Sequence, residues 1–403
     1  MSSVPQEPLT AAARRLLPGL VALRRALHRA PETGLHLPRT RRTVLDALDG
    51  LPLTVTTGRA LSSVVATLDG GRPGGRTVLL RGDMDALPQQ EETGLEFASE
   101  EPGVMHACGH DLHTTMLVGA ARLLAERRAE LPGRVVFMFQ PGEERGGGAR
   151  HMIDEGVLET SGGAGVEGAF ALHVSTRFAS GTVHLRPGPS FAAADLLRIT
   201  VRGRGGHASA PYLALDPVPV ACEMVQALQT MVTRTVHVFD PVVLTVARIA
   251  AGTTTNIIPE TAELHGTFRT LTPRARRLVR ENVTRVARHV AAAHGATAEV
   301  ELEEGYPPVV NDAGFAAAAR AAAGDLLGAD RVHHLPEPVM GAEDFSYVLE
   351  RVPGAMAFLG ARPPGTPSEG APDIHSNRVV FDEDAMAVGS AVHAAVALDF
   401  LGG

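Results

Sequence analysis

Three stretches, RTVLLRGDMDALP (76–88), RVVFMFQPGEE (134–144) and GAFALHV (168–174), run apolar without alternation and then break off in polar residues. A strand with one solvated face alternates, whereas a strand buried on both faces reads as a continuous apolar run. AMAFLG (355–360) repeats the pattern near the C-terminus. Between the first two runs, DLHTTMLVGAARLLAERRAEL (111–131) has helical spacing, with Asp111 placed to cap its start. Strands alternating with helices predict an α/β fold: a large, mostly parallel sheet covered on both faces.

The middle of the chain obeys a different order. LLRITVRG is a strand, DPVPVACEMVQALQTMVTR a helix, and VVLTVARIAAG and AELHGTFRTL are strands. A second helix, TPRARRLVRENVTRVARHVAAAHG, and a last strand, ATAEVELEEG, follow. The order β-α-β-β-α-β is that of a ferredoxin-like unit. The expected organisation is therefore a first catalytic part at 1–185, an inserted ferredoxin-like domain at 186–304, and a second catalytic part at 305–403.

Composition narrows the class. With 44% apolar and 20% charged residues the chain is globular. A formal charge of −8, without an Arg-rich block standing apart from acids, excludes a nucleic-acid binder. Cys108 and Cys222 are the only cysteines, so a reducing compartment, the cytoplasm, is expected. The Arg-rich start, LTAAARRLLPGLVALRRALHRAPE, reads as a first amphipathic helix, and no stretch of membrane-spanning length and apolarity is expected.

In open α/β sheets ligands gather outside the carboxyl ends of the strands. Asp83 and Asp85 follow one strand, Glu143 and Glu144 a second, His173 a third, and Asp373 and His375 follow AMAFLG. Cys108 and His110 precede the helix, and a helix N-terminus lowers a thiol pKa. Alone, any one of these is more simply a structural cysteine, a hydrogen-bonded histidine or a solvated glutamate. Together they predict a cage for divalent ions. A single cysteine among several N and O donors suits a site with open positions and Zn²⁺, Mn²⁺, Co²⁺ or Ni²⁺. Adjacent Glu143 and Glu144 diverge, so one can bind metal while the other serves as general base.

These motifs resemble those of the aminoacylase/carboxypeptidase superfamily of metal-dependent amidohydrolases, in the branch of hippurate hydrolases, auxin-conjugate hydrolases and N-acetyldiaminopimelate deacetylases. The resemblance runs through RGDMDALP, MHACGHD, QPGEE, ALHV, GRGGHASAP, NIIPE, GTFRT, GAEDFS and IHSNRVVFDEDA, nearly the whole chain in order. It implies two divalent ions per subunit, held by Cys108, His110, Glu144, His173 and His375. It implies Glu143 as general base and acid, Asp85 as the carboxylate orienting a ligand histidine, and Asp83 outside the ligand set. His207 would polarise the scissile carbonyl; Asn256 and Arg269 would hold the substrate carboxylate and nearby backbone; Gly341 would line the acyl side. His106, Asp111 and His113 are left between tuning the site and plain core or capping roles.

The implied activity is hydrolysis of N-acyl amino acids, or of small related amides and dipeptides, to a carboxylate and a free amino acid. The inserted domain would serve as a lid and join a homodimer or larger oligomer. A zinc nucleobase deaminase would need a His-x-Glu and a Pro-Cys-x-x-Cys pair, and the chain has neither. The remaining alternative is a non-catalytic metal- or ligand-binding relative.

Overall fold

The computed structural model describes residues 7–159 and 165–402. Its chain forms two compact units: Met1–Gly188 with Val310–Pro336 and Asp344–Gly403, and Pro189–Val309 with Glu337–Glu343. The return of 337–343 to the second unit follows its backbone, because the Val339 N–H donates to the Ser190 carbonyl and the Ala192 N–H to that of Val339.

The first unit is built on an eight-stranded sheet. Its central strands, Arg134–Gln140, Thr77–Asp83, Gly168–Ala179 and Gly354–Arg362, are mutually parallel. Antiparallel Val64–Asp69 and Thr54–Thr57 extend one side, and Val183–Leu185 and Val332–His334 the other. All seven residues of Thr77–Asp83 are buried, as its unbroken apolar run requires of a strand covered on both faces. The α/β class and mostly parallel sheet expected from the sequence are what the chain forms.

Two expectations are corrected. Asp111 does not cap the helix His110–Glu126: the N-cap is Gly109, in the left-handed region at φ 86°, with no side-chain cap. Asp111 lies inside the first turn and is drawn instead to the buried Arg24 and His28 of the helix Leu9–Arg29. Second, the helix Ala385–Gly402 is long and apolar enough to cross a membrane. It packs against Leu9–Arg29, His110–Glu126 and the Thr77–Asp83 strand and is mostly buried, which accounts for apolarity all round its circumference.

In the second unit, the strands Ala193–Arg202, Val242–Ala251, Thr261–Thr270 and Thr297–Glu304 form one antiparallel sheet. Thr261–Thr270 and Ala193–Arg202 are central, Val242–Ala251 and Thr297–Glu304 the edges. With helices Pro217–Thr235 and Pro273–Ala293 the chain order is β-α-β-β-α-β. Both helices are entered as their sequences dictate: Asp216 and Thr272 cap the backbone and proline occupies the first turn.

Candidate metal centre

The first unit gathers its chemistry where the parallel strands end. Asp83 closes one strand and Asp85 follows two residues later; Glu143 and Glu144 come after Arg134–Gln140; His173, expected at the end of its strand, lies instead inside Gly168–Ala179, which runs on past it paired with Gly354–Arg362. Cys108 and His110 flank Gly109 at the start of the helix. Gly109 is required twice over, because its φ suits glycine and an added Cβ would collide with the Val174 side chain. His375 arrives on a loop whose Pro and Gly residues form no helix or strand, and its N–H donates to the Ala107 carbonyl. At φ 67° it is the one non-glycine residue with positive φ among those described.

Donor atoms of Cys108, His110 and His173 lie within 4.8 Å of one another, as do those of Cys108, Glu144 and His375, and of His110, Glu143 and Glu144. Cys108 Sγ is 3.5 Å from His173 Nε2, and Glu144 Oε1 is 3.2 Å from His375 Nε2 and 3.9 Å from His110 Nε2. All five residues carried over as ligands therefore converge, with Glu143 beside them. Asp85 accepts from the Glu143 and Glu144 N–H groups at 2.9 and 3.1 Å and lies 3.5 Å from His110 Nδ1. One carboxylate thus holds the turn bearing both glutamates and faces a ring of the cage.

Electrostatics explains why these groups tolerate burial together. Burial works against charge on His110, but Asp83, Asp85 and Glu144 outweigh it and push the imidazole up to about 10. Burial also opposes ionisation of Glu144, yet His375 and His110 hold its carboxyl below the usual range. The expectation of a lowered thiol is corrected: among protein groups alone, burial and then Glu144, Glu143 and Asp83 push Cys108 well up. The helix N-terminus is outweighed by carboxylates, and a dication is the charge that would reverse the sign. The residues fit such an ion, since both nitrogens of buried His110 and Glu144 Oε1 make no hydrogen bond.

Asp83, expected outside the ligand set, and His113, left between tuning the site and a core role, face each other beside the cage. Asp83 Oδ1 is 2.6 Å from His113 Nδ1, and its Oδ2 is 2.6 Å from Arg81. His113 lies three residues after His110 and so on the same side of the helix, a spacing that carried the signal.

The other predicted residues belong to the second unit. His207 and Ile257 are register partners in a two-stranded ladder, and the Asn256 carbonyl accepts from the Ala208 N–H. His207 and Asn256 thus line one open pocket with Gly205, Gly206 and Glu260. Ser209 donates its N–H to His207 Nδ1 at 3.1 Å. Arg269 is half-buried on Thr261–Thr270, where burial lowers its pKa. Gly341 is exposed, and its carbonyl accepts from the Ala192 N–H.

Mixed sulfur, nitrogen and oxygen donors at the carboxyl ends of a parallel sheet mark a divalent-metal centre. Comparison with known proteins makes its bearer a metal-dependent hydrolase. The profile of peptidase family M20/M25/M40 matches residues 79–399, and the chain belongs to that family. It is 38% identical to N-acetylcysteine deacetylase of Bacillus subtilis over 379 residues, covering 94% of this chain and 96% of that protein. It is 35% identical to IAA-amino acid hydrolase ILR1-like 4 of Arabidopsis thaliana over 406 residues, covering 100% of this chain and 90% of the relative. A solved dinuclear metal-binding peptidase of the M20 family from Bacillus subtilis superposes with a TM-score of 0.84 at 34% identity, covering 96% and 99% of the two chains. The resemblance drawn from the sequence motifs is thereby borne out.

Proposed function

We propose that the protein hydrolyses the amide bond of an N-acyl amino acid, or of a small related amide or dipeptide, to a carboxylate and a free amino acid. The observation that carries this reading is the convergence of Cys108, His110, Glu144, His173 and His375 around buried donor atoms without hydrogen-bond partners, with Glu143 alongside. Those five residues would hold two divalent ions, and the donor chemistry fits manganese, zinc, cobalt or nickel. Ions bound there supply Lewis acidity toward water and the amide carbonyl.

Glu143 then takes a proton from the attacking water as the C–O bond forms, and returns it to the nitrogen as the C–N bond breaks. Asp85 keeps Glu143 and Glu144 in place through their N–H groups and aligns His110. His207 donates to the carbonyl oxygen as charge develops there. Arg269 and Asn256 receive the substrate carboxylate, for which a guanidinium fork is suited, and Gly341 leaves room on the acyl side. The names of the N-acetylcysteine deacetylase and the IAA-amino acid hydrolase support this substrate class. The non-catalytic reading is not favoured, since no donor and no proton carrier is lacking.

We further propose that the inserted domain, residues 186–304, acts as the lid and dimerisation domain of a homodimer or larger oligomer. Val243 and Ile249 stand exposed on its edge strand, which supports pairing with a second copy. Both cysteines are free, which supports a reducing compartment such as the cytoplasm.

The test is release of free amine from a panel of N-acetyl- and N-benzoyl-amino acids, with Mn²⁺, Zn²⁺, Co²⁺ and Ni²⁺ in turn and with chelator. Turnover that a chelator abolishes and that Glu143→Gln lowers by about 10²–10⁴-fold with metal content intact is expected. Turnover unaffected by either would overturn the proposal.

A further inference from the structure

Beyond the last paired residues of the strand Thr77–Asp83, the neighbouring strand Gly168–Ala179 loses a partner. Pairing between them stops at Arg81 and Ala171. Three residues later both backbone groups of Val174 are taken by imidazoles. The Val174 N–H donates to His113 Nε2 at 2.8 Å, and its carbonyl accepts from His173 Nδ1 at 2.7 Å.

These bonds determine where the protons sit. A backbone N–H can only donate, so Nε2 of His113 is an acceptor, and in the neutral ring the proton is on Nδ1, facing Asp83 Oδ1 at 2.6 Å. A carbonyl can only accept, so His173 carries its proton on Nδ1. Its Nε2 lone pair is then turned toward Cys108 Sγ, 3.5 Å away. The His113 ring also packs edge-on against His173, with centroids 4.7 Å apart, and stacks on His110 at 5.4 Å.

The far end of this chain is anchored. Arg81 is buried, pairs with Asp83 Oδ2 at 2.6 Å and donates to Gln140 Oε1 at 2.9 Å. Gln140 in turn donates to Asp344 Oδ1 at 2.7 Å. The anchor thus spans the ends of the two adjacent strands Thr77–Asp83 and Arg134–Gln140.

We propose that His113, held by Asp83 and Arg81, is a positioning residue that aims His173 into the cation cage through the Val174 backbone. The proposal rests on the reading of Cys108, His110 and His173 as metal donors. His113 itself has no free nitrogen to offer an ion, because one faces Asp83 and the other accepts from Val174. Its influence is orientation, as outer hydrogen-bond partners of ligand histidines exert elsewhere.

The experiment compares His113→Gln with His113→Asn. A glutamine oxygen can reach the place of Nε2 and still accept from Val174. An asparagine amide takes the place of Nδ1 and can still donate to Asp83, but leaves the Val174 N–H unpaired. Co²⁺ affinity and the cobalt–thiolate charge-transfer band are read for the parent and both variants, with melting in chelator confirming that each is folded. We expect His113→Asn to bind Co²⁺ about 10–100-fold more weakly with an altered thiolate band, and His113→Gln to restore most of the affinity. Parent-like Co²⁺ binding by folded His113→Asn, or equal losses in the two variants, overturns the positioning role. A parent that binds no Co²⁺, or binding unchanged by Cys108→Ser and His173→Ala, overturns the metal reading on which it rests.

Discussion

Replacing Asp111 by alanine asks whether the helix that presents His110 is pinned from within by a buried ion pair. Asp111 Oδ2 is 2.8 Å from Arg24 Nε and 2.8 Å from His28 Nδ1. The Arg24 side chain is only 1% exposed; its other carboxylate partner is Glu383 at 3.2 Å, and its guanidinium lies 4.8 Å from the Phe97 ring centroid. Removing one member of a buried pair strands the charge of the other and costs about 3–5 kcal/mol. Glu383 and Phe97 keep part of the compensation for Arg24, so the lower end, about 3 kcal/mol, is expected. At about 2 °C per kcal/mol for a large domain, the melting temperature should fall by about 6 °C.

The assay is thermal melting at neutral pH in chelator, run for Asp111→Ala, Arg24→Met and the double variant. With Arg24→Met in place the guanidinium is no longer stranded, and His28, which still faces Glu91 at 3.3 Å, is the one buried base that loses a partner, so the further loss from Asp111→Ala should be clearly smaller than in the parent. A single Asp111→Ala variant that melts with the parent, or one that loses as much in both backgrounds, refutes the argument.

His207→Ala should raise the barrier to turnover by about 3–4 kcal/mol while metal stoichiometry, measured by elemental analysis, stays at the parent's value. His375→Ala should weaken one metal equivalent selectively, because His375 belongs to one donor group, whereas Cys108→Ser, common to two, should weaken both; competitive chelation distinguishes them. Stability should also bend with pH on both sides. Burial opposes protonation of His28, but Asp111 and Glu91 raise its pKa, so its contribution is full below about 6.5 and is lost as pH rises through the raised value. Asp111 and Glu91 are held low, Glu91 at about 2, so theirs is full above about 4.5 and fades as acid reaches the lowered values. Melting temperature against pH checks both limbs, and the alkaline one should shrink in Asp111→Ala, where Glu91 is left to face His28.

Much of this was legible in residue order. Apolar runs that stop at Asp83 and Gln140 mark strands buried on both faces, and Asp85, Glu143 and Glu144 follow them where the parallel sheet opens, whereas the strand bearing His173 runs on to Ala179. Less legible was anything decided by a partner far along the chain. Asp111 has the composition of a cap, yet Arg24, 87 residues away, claims it, and Gly109 takes the cap position by its backbone alone. Cys108 stands at a helix N-terminus, but burial and then the carboxylates of Glu144, Glu143 and Asp83, brought in from elsewhere in the chain, reverse its shift. The helix Ala385–Gly402 has a membrane-like composition because helices and strands from six other parts of the chain pack against it, and no pattern within eighteen residues reveals neighbours. His113 offered only its spacing, while Asp83 and Val174, which give it a purpose, lie 30 and 61 residues off.

Gly109 has a bearing on how such a centre can vary. Donors can be exchanged in chemistry, sulfur for oxygen or imidazole for carboxylate, and the preferred cation will shift with them. The spacer between Cys108 and His110 has no such latitude, since any side chain there meets Val174 and forces the backbone out of the left-handed region. Gly109→Ala should therefore splay sulfur from imidazole and spoil binding of every ion alike, so a residue with nothing to give a cation governs the gap between two that have.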